Sequence, residues 1–179
     1  LTAKPNLIEG AEQMLALGTR VGKFWFEPKR AASDNAWNSQ WPAMKTLRDL
    51  AASSYWQTVF RMPFTTLMLE THSPGEQGWN ADQPPAYYER IAAEWEELVR
   101  YLHATHGDHS LTIILQNWEG DWQLRGTGVR WEAPPPDWRV RCARYVRRLK
   151  ARQEGVNRAR AAAPAGCHLR VAHAAEVNR

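Results

Sequence analysis

Leu7, Ile8, Ala11, Met14 and Leu15 recur at helical spacing, with Asn6 ahead of them as an N-cap and Glu9 at the third helical position. A helix is therefore predicted from Asn6 until Gly18 ends it. Residues 20–26 then alternate as a short strand, with Val21, Lys23 and Trp25 on one side and Gly22, Phe24 and Phe26 on the other. Residues 27–40 are rich in Asn, Ser, Pro and Lys and read as a loop, after which Trp41-Pro42 opens a helix carrying Met44, Leu47, Leu50 and Ala51. The apolar run 64–69 ends at Glu70, and residues 71–85 form another loop broken by Pro74, Gly75, Gly78, Pro84 and Pro85. Tyr88, Ile91, Ala92, Trp95, Leu98, Val99 and Leu102 step by three or four and predict a helix over 86–105, stopped by Gly107. Residues 111–115 read as a buried strand leading into Gln116-Asn117-Trp118-Glu119-Gly120-Asp121-Trp122, followed by a loop through Pro134-Pro135-Pro136. Asp137 can cap a helix through Val140, Ala143, Val146 and Leu149, and residues 168–178 close as a strand.

Helix and strand alternate throughout, and each helix has a length suited to crossing over a parallel sheet. The fold class is α/β, either a doubly wound sheet or part of a (β/α)8 TIM barrel. No Gly-rich phosphate loop follows a strand, which weakens the nucleotide-binding version. Polar and aromatic residues gather instead at the carboxyl ends of the strands, where a barrel carries its chemistry: Trp25 and Glu27, Glu70 and His72, Asn117 to Trp122, Glu176 and Asn178. A whole barrel needs eight strands and about 250 residues. The 179 residues here supply roughly four βα units. The expectation is a single incomplete barrel domain spanning strands two to five, truncated at both ends. Its open edge strands would leave it marginal alone or paired with another copy.

Composition sharpens this only in places. Hydrophobic residues make up 44% of the chain, too many for a disordered one. Cys142 and Cys167 fit neither a disulfide framework nor a paired zinc pattern. No apolar run approaches a membrane span and no leader stands at the start, so a soluble protein is expected. Beginning at Leu1 rather than Met leaves secretion with a removed leader open. Ten tryptophans are the oddity, serving either a large core or a surface that needs flat, amphipathic rings.

QNWEGDW is the strongest chemical signal. If alternation persists past the strand, Asn117 and Glu119 share a side with Trp118 and Trp122 flanking them. A carboxylate beside indoles and an amide is what sugar chemistry uses. Apolar walls raise its pKa so that it protonates a glycosidic oxygen, rings stack on the sugar's C–H faces, and the amide binds hydroxyls. Alternatively, Glu119 and Asp121 merely cap the turn over packed tryptophans. Glu176 and Asn178 form a second acid and amide pair, able to face the same cleft or to lie exposed at a frayed end. Glu70 and His72 occupy the analogous place on the second run. Lys23, among Phe, Trp and Val, either pairs with a carboxylate inside a barrel or snorkels at an edge.

His103, His106 and His109 lack the carboxylate or Cys that would complete a metal pattern, and read as a solvated helix end near the negative dipole pole. No metal or organic cofactor is implied. Between Arg139 and Arg170 stand ten basic residues and one acid, Glu154, with Arg141, Arg144, Arg148 and Arg152 along one helical face. The stripe favours nucleic acid or an anionic surface. Without interleaved aromatic stacking residues, and with an outer helix needing a polar face, a solvated surface is the preferred reading.

Four stretches, GAEQMLALGTRVGKFWF, QNWEGDW, ARQEGVNRAR and HAAEVN, together resemble an uncharacterised family of bacterial (β/α)8-barrel proteins related to glycoside hydrolases. In the retaining clan that such barrels resemble, the acid/base Glu ends the fourth strand and the nucleophile Glu the seventh. Taking the Val21 strand as the second puts Glu119 at the acid/base position. The clan's motif has Asn directly before Glu, whereas Trp118 stands between Asn117 and Glu119 here. The resemblance thus implies a glycosidase-like barrel with Glu119 as acid/base and a nucleophile on a seventh strand outside these residues, while the residues themselves offer Glu176 as a second candidate catalytic group, able to serve as partner, orienter or sugar ligand. Asn117, Trp118, Asp121, Trp122, Trp25, Lys23, Glu70 and Asn178 are the candidate carbohydrate contacts. A non-catalytic carbohydrate-binding barrel is the alternative, and a nucleic-acid binder using the Arg-rich helix a more distant one.

Overall fold

A computed structural model describes residues 2–125 and 134–176. The element order is α1 (Asn6–Ala16), β1 (Val21–Phe26), α2 (Ala31–Asp34), α3 (Leu47–Ala52), α4 (Ser54–Arg61), β2 (Thr66–Thr71), a 3-10 turn (Pro74–Glu76), α5 (Pro85–His106), β3 (Thr112–Gln116), α6 (Gly120–Arg125), α7 (Trp138–Ala161) and β4 (Arg170–Ala174). The strands form one parallel sheet in the order β1-β2-β3-β4. Every connection steps to the next neighbour in the same direction. Right-handed crossovers then place the intervening helices on a single face of the sheet.

That face is the core. Phe26, Leu67, Leu69, Ile113, Leu115 and Val171 point into it and are buried against Leu47 and Leu50 of α3, Trp56 and Phe60 of α4, Ile91, Trp95 and Leu98 of α5, and Val156 of α7. Alternation puts the other residues of each strand on the opposite face in three aligned rows. Val21, Thr66, Thr112 and Arg170 form the first; Lys23, Met68, Ile114 and Ala172 the second; Trp25, Glu70, Gln116 and Ala174 the third, at the carboxyl ends. No described helix packs on this face, and Val21 is 49% exposed. Parallel sheets are ordinarily covered on both sides, so this one presents an unfilled surface.

Several elements differ from those the hydrophobic pattern predicts. Trp41-Pro42 does not open a helix. The helix begins at Leu47, where Thr46 accepts from the Asp49 amide at 3.0 Å and Asp49 answers to the Thr46 amide at 3.1 Å, a reciprocal cap. Ser53 ends that helix in extended conformation and caps the next one, α4. The predicted turn after Trp118 is instead the short helix α6. Asn6 is the first helical residue of α1, behind Pro5, and makes no side-chain cap.

α5 and α7 pack closely because Gly155 lets their backbones meet. A Cβ at this position would lie 2.2 Å from the Ala92 carbonyl oxygen and 2.9 Å from the Glu96 amide nitrogen. The arginine stripe of α7 shares this inward side. Arg148 and Arg152 are 3% and 2% exposed, so the predicted solvated face is in part a buried one. Arg144 pairs with Asp82 and Arg141 with Asp137 nearer the surface. His103 and His106 are likewise buried rather than solvated. His106 meets Phe60 edge-on, and burial, reinforced by His109 and Arg61, depresses its pKa to about 4. Desolvation outweighs any gain from the helix dipole at that end. Among the described residues no helix is long and apolar enough to cross a membrane.

Candidate functional site

At the carboxyl end of the open face, Glu70 and Gln116 of the third row meet Lys23 from the second row and Glu176 from beyond β4. Glu176 follows β4, and its backbone is held by the segment between β3 and α6. The Asn117 side chain donates to the Glu176 carbonyl at 2.8 Å and accepts from the Glu176 amide at 3.0 Å, while the Gly120 amide donates to the same carbonyl at 2.9 Å. The carboxylate so placed accepts from Gln116 at 2.5 Å and lies 3.2 Å from Lys23 Nζ. Lys23 also reaches Glu70 at 3.7 Å.

Glu70 is 7% exposed, and its Oε1 has no hydrogen-bond partner among the described residues. Burial raises its pKa above the ordinary carboxylate value. Lys23 opposes the rise, and the charges of Glu176 and Glu119 add to it. The three acids are therefore electrostatic neighbours. Glu70 is pushed toward its protonated form, and Glu176 has the lysine and the amide as partners. Glu119 opens α6, its backbone carbonyl accepting from the Trp122 amide at 3.1 Å. Glu70 and Gln116 are register partners on the open face, and alternation through β3 puts Asn117 on the other one.

Aromatic groups border this row. Trp25 stacks on His72 with centroids 4.4 Å apart, the Arg30 guanidinium lies 4.8 Å from its ring centre, and its Nε1 donates to Glu27 at 3.0 Å. The ring is thus largely occupied by protein. Trp118 and Trp122 run nearly parallel at 6.3 Å, and Trp122 is 42% exposed with Arg125 over it at 4.6 Å. Asp121 is buried and lies 3.6 Å from Arg125. Asn178 lies outside the described residues.

Behind the Trp25–His72 stack is a cleft of about 290 Å³ lined by Glu27, Lys29, Gln77 and Trp118 among others. Its floor is a buried charge cluster. Glu76, in the turn after β2, accepts from Arg152 Nε at 2.8 Å and Trp95 Nε1 at 3.0 Å, and its second oxygen accepts from Arg152 Nη2. Arg148 Nε lies 3.7 Å from that oxygen, and its Nη2 donates to Gln123. Burial raises the Glu76 carboxyl, but Arg152, Arg148 and the hydrogen bonds together hold it below its ordinary value. His72 and His173 are held down to about 4 by burial, and Arg152 is the next influence on both.

Of the residues predicted from sequence, Lys23, Glu70 and Glu176 make direct contacts, Glu119 is within electrostatic reach, and Asn117 is spent on holding Glu176. Gln116, Glu76 and the inward role of Arg148 and Arg152 were not predicted. A usable signal existed: Arg148 and Arg152 share a helical face with Ala151, Gly155 and Ala159, small residues of the kind that mark close helix packing. Among the described residues no group of three or more His, Cys, Asp or Glu could hold a metal ion. Cys142 and Cys167 are unpaired. No family model, curated protein or solved structure matches this chain.

Proposed function

We propose that the sheet is a section of a (β/α)8-type barrel and that the row at its carboxyl ends is a carbohydrate site of glycosidase type. The fold part of the proposal is supported by the sequential strand order, the one-sided helices and the uncovered opposite face, which in a closed barrel looks inward. Both β1 and β4 are edge strands that closure would pair.

The chemistry rests on one observation: neighbouring acids whose surroundings differ. Burial and the charges of Glu176 and Glu119 favour a protonated Glu70, whereas Glu176 is set against Lys23 and Gln116. Acids in contrasting environments divide the work of glycoside cleavage. Glu70 gives its proton to the glycosidic oxygen as the bond to the anomeric carbon breaks. Glu176 acts as the ionised partner, attacking that carbon or taking a proton from the water that does. Family resemblance gives the acid role to Glu119, and the burial argument gives it to Glu70, one strand earlier.

The test is hydrolysis and binding of a panel of oligosaccharides and aryl glycosides by the wild-type chain and by Glu70→Gln, Glu176→Gln and Glu119→Gln. Expected is binding that changes tryptophan fluorescence, with any turnover lost on removal of Glu70 or Glu176. Turnover untouched by Glu70→Gln but lost in Glu119→Gln returns the acid role to Glu119. Binding with no turnover favours a non-catalytic carbohydrate receptor. A folded chain that neither binds nor cleaves any member of the panel overturns the proposal.

A further inference from the structure

The buried charges beneath the cleft do not balance. Glu76 supplies one negative charge, and Arg148 and Arg152 supply two positive ones. No other described acid hydrogen-bonds to either guanidinium. The remaining contacts are neutral: Gln123 accepts from Arg148, Trp79 and Tyr145 lie 4.4 and 4.8 Å from its guanidinium carbon, and Trp95 lies 4.7 Å from that of Arg152. Arg148 Nε and Arg152 Nη1 are buried and have no hydrogen-bond partner among the described residues. Both side chains line the cleft, with Lys29, Ser73 and Gln77.

An arginine paired with one carboxylate explains itself as a structural anchor. A second, equally buried arginine beside it is a charge left uncompensated, which is costly unless something answers it. The pKa of Arg148 falls only to about 10, so it stays charged at neutral pH. Guanidinium groups with fixed donors and aromatic backing suit a planar or tetrahedral oxyanion.

We propose that this cleft binds the oxyanion of an acidic ligand, with Arg148 and Arg152 as its donors. The proposal rests on the carbohydrate reading for the rest of the ligand: the substrate class is then a saccharide carrying a carboxylate, a uronic acid. His72 connects the two regions, since it lines the cleft and its Nε2 lies 3.7 Å from Glu70 Oε1. A sugar whose carboxylate sits on the arginines would extend past His72 toward the acids.

The test is isothermal titration of the chain with glucuronate, glucose, inorganic sulfate and inorganic phosphate at constant ionic strength, on the wild type and on Gln123→Glu. Arg148 variants can fail to fold. Gln123→Glu keeps the side-chain size and sets a carboxylate against Arg148 from within the cleft. Its thermal unfolding is recorded alongside. Expected is saturable glucuronate binding in the wild type, weakened about tenfold or more in a folded Gln123→Glu by the built-in competitor. Glucose is expected to bind more weakly than glucuronate. Sulfate or phosphate binding that Gln123→Glu also abolishes supports the oxyanion cradle. If these inorganic ions bind while no neutral or acidic sugar does, the cradle stands and the carbohydrate reading falls. Equal binding of glucose and glucuronate overturns the cradle and leaves the carbohydrate reading intact. No saturable binding of any oxyanion, or binding indifferent to Gln123→Glu, overturns the cradle.

Discussion

Replacing Glu76 by Gln removes one charge from the buried cluster while keeping its volume. In the wild type, Oε1 accepts from Arg152 Nε at 2.8 Å and Trp95 Nε1 at 3.0 Å, and Oε2 accepts from Arg152 Nη2 with Arg148 Nε 3.7 Å away. The glutamine carbonyl can keep the first pair. Its amide then turns a donor toward Arg152 Nη2, and two guanidinium groups remain buried without a counter-charge. Breaking a buried ion pair from one side costs about 3–5 kcal/mol, most of it for the charge left behind. Domains have only about 5–15 kcal/mol in total, so roughly a fifth or more of the stability is at stake. With a urea slope near ~2 kcal/mol per molar, the unfolding midpoint should fall by roughly 1.5–2.5 M. The pH dependence gives a second readout. Because the folded carboxyl is held below its ordinary 4.5, its contribution is present above that pH and lost as pH falls through the folded value. Glu76→Gln should therefore be weaker than wild type at pH 7 and lose less on acidification below 4.5. A midpoint at pH 7 within about 0.3 M of wild type, less than ~1 kcal/mol, would refute the assignment of Glu76 as the one buried counter-charge of this cluster among the described residues.

Gly155→Ala should destabilise by up to about 2 kcal/mol in urea unfolding: the helix-propensity gain of ~1 kcal/mol is set against ~1–3 kcal/mol of overpacking, with the upper end expected because the atom met at 2.2 Å is backbone. Gly120→Ala puts a Cβ 2.3 Å from the Tyr145 hydroxyl and 2.7 Å from the Glu176 carbonyl, so ligand binding at the carboxyl-end row should weaken severalfold, read by fluorescence titration. Glu70→Gln should be more stable than wild type at pH 7, with the difference vanishing as pH falls below 4.5. A carboxyl whose folded pKa is raised contributes relative stability below its unfolded value and loses it as pH rises, as melting temperature against pH would record. His106→Phe should flatten the loss of stability between pH 6.5 and about 4. The folded imidazole titrates near the lower value, so its contribution is present above 6.5 and lost as pH falls.

The alternation of helix and strand was legible because the apolar periods are strong: α5 runs Pro85–His106 where residues 86–105 carry the stripe, and β1 is Val21–Phe26 with the alternation Lys23 and Trp25 require. Short helices were not legible, because their signals are caps rather than periods. Thr46 with Asp49 and Ser53 with the Trp56 amide begin α3 and α4, and neither helix is long enough to show a stripe. At the site, the acids stood out as polar residues at strand ends. What sequence could not supply was depth. Arg148 and Arg152 look like solvated charges on a basic helix until Gly155 is seen to bring α7 against α5. His103 and His106 look like a polar helix end until Phe60 is seen beside them. Alternation carried past Gln116 to put Asn117 and Glu119 on one side does not apply, because β3 ends at Gln116 and α6 begins at Gly120.

The most direct measurement is an NMR titration of the isotopically labelled chain with the oligosaccharides that bind best, following the Gln116 side-chain amide and the Trp25 and Trp118 indole N–H signals. Saturable shifts are expected on these groups and on the backbone amides at the carboxyl ends of β1 to β4. Shifts confined to the helix-covered side, or to the amino ends around Val21 and Arg170, would contradict it.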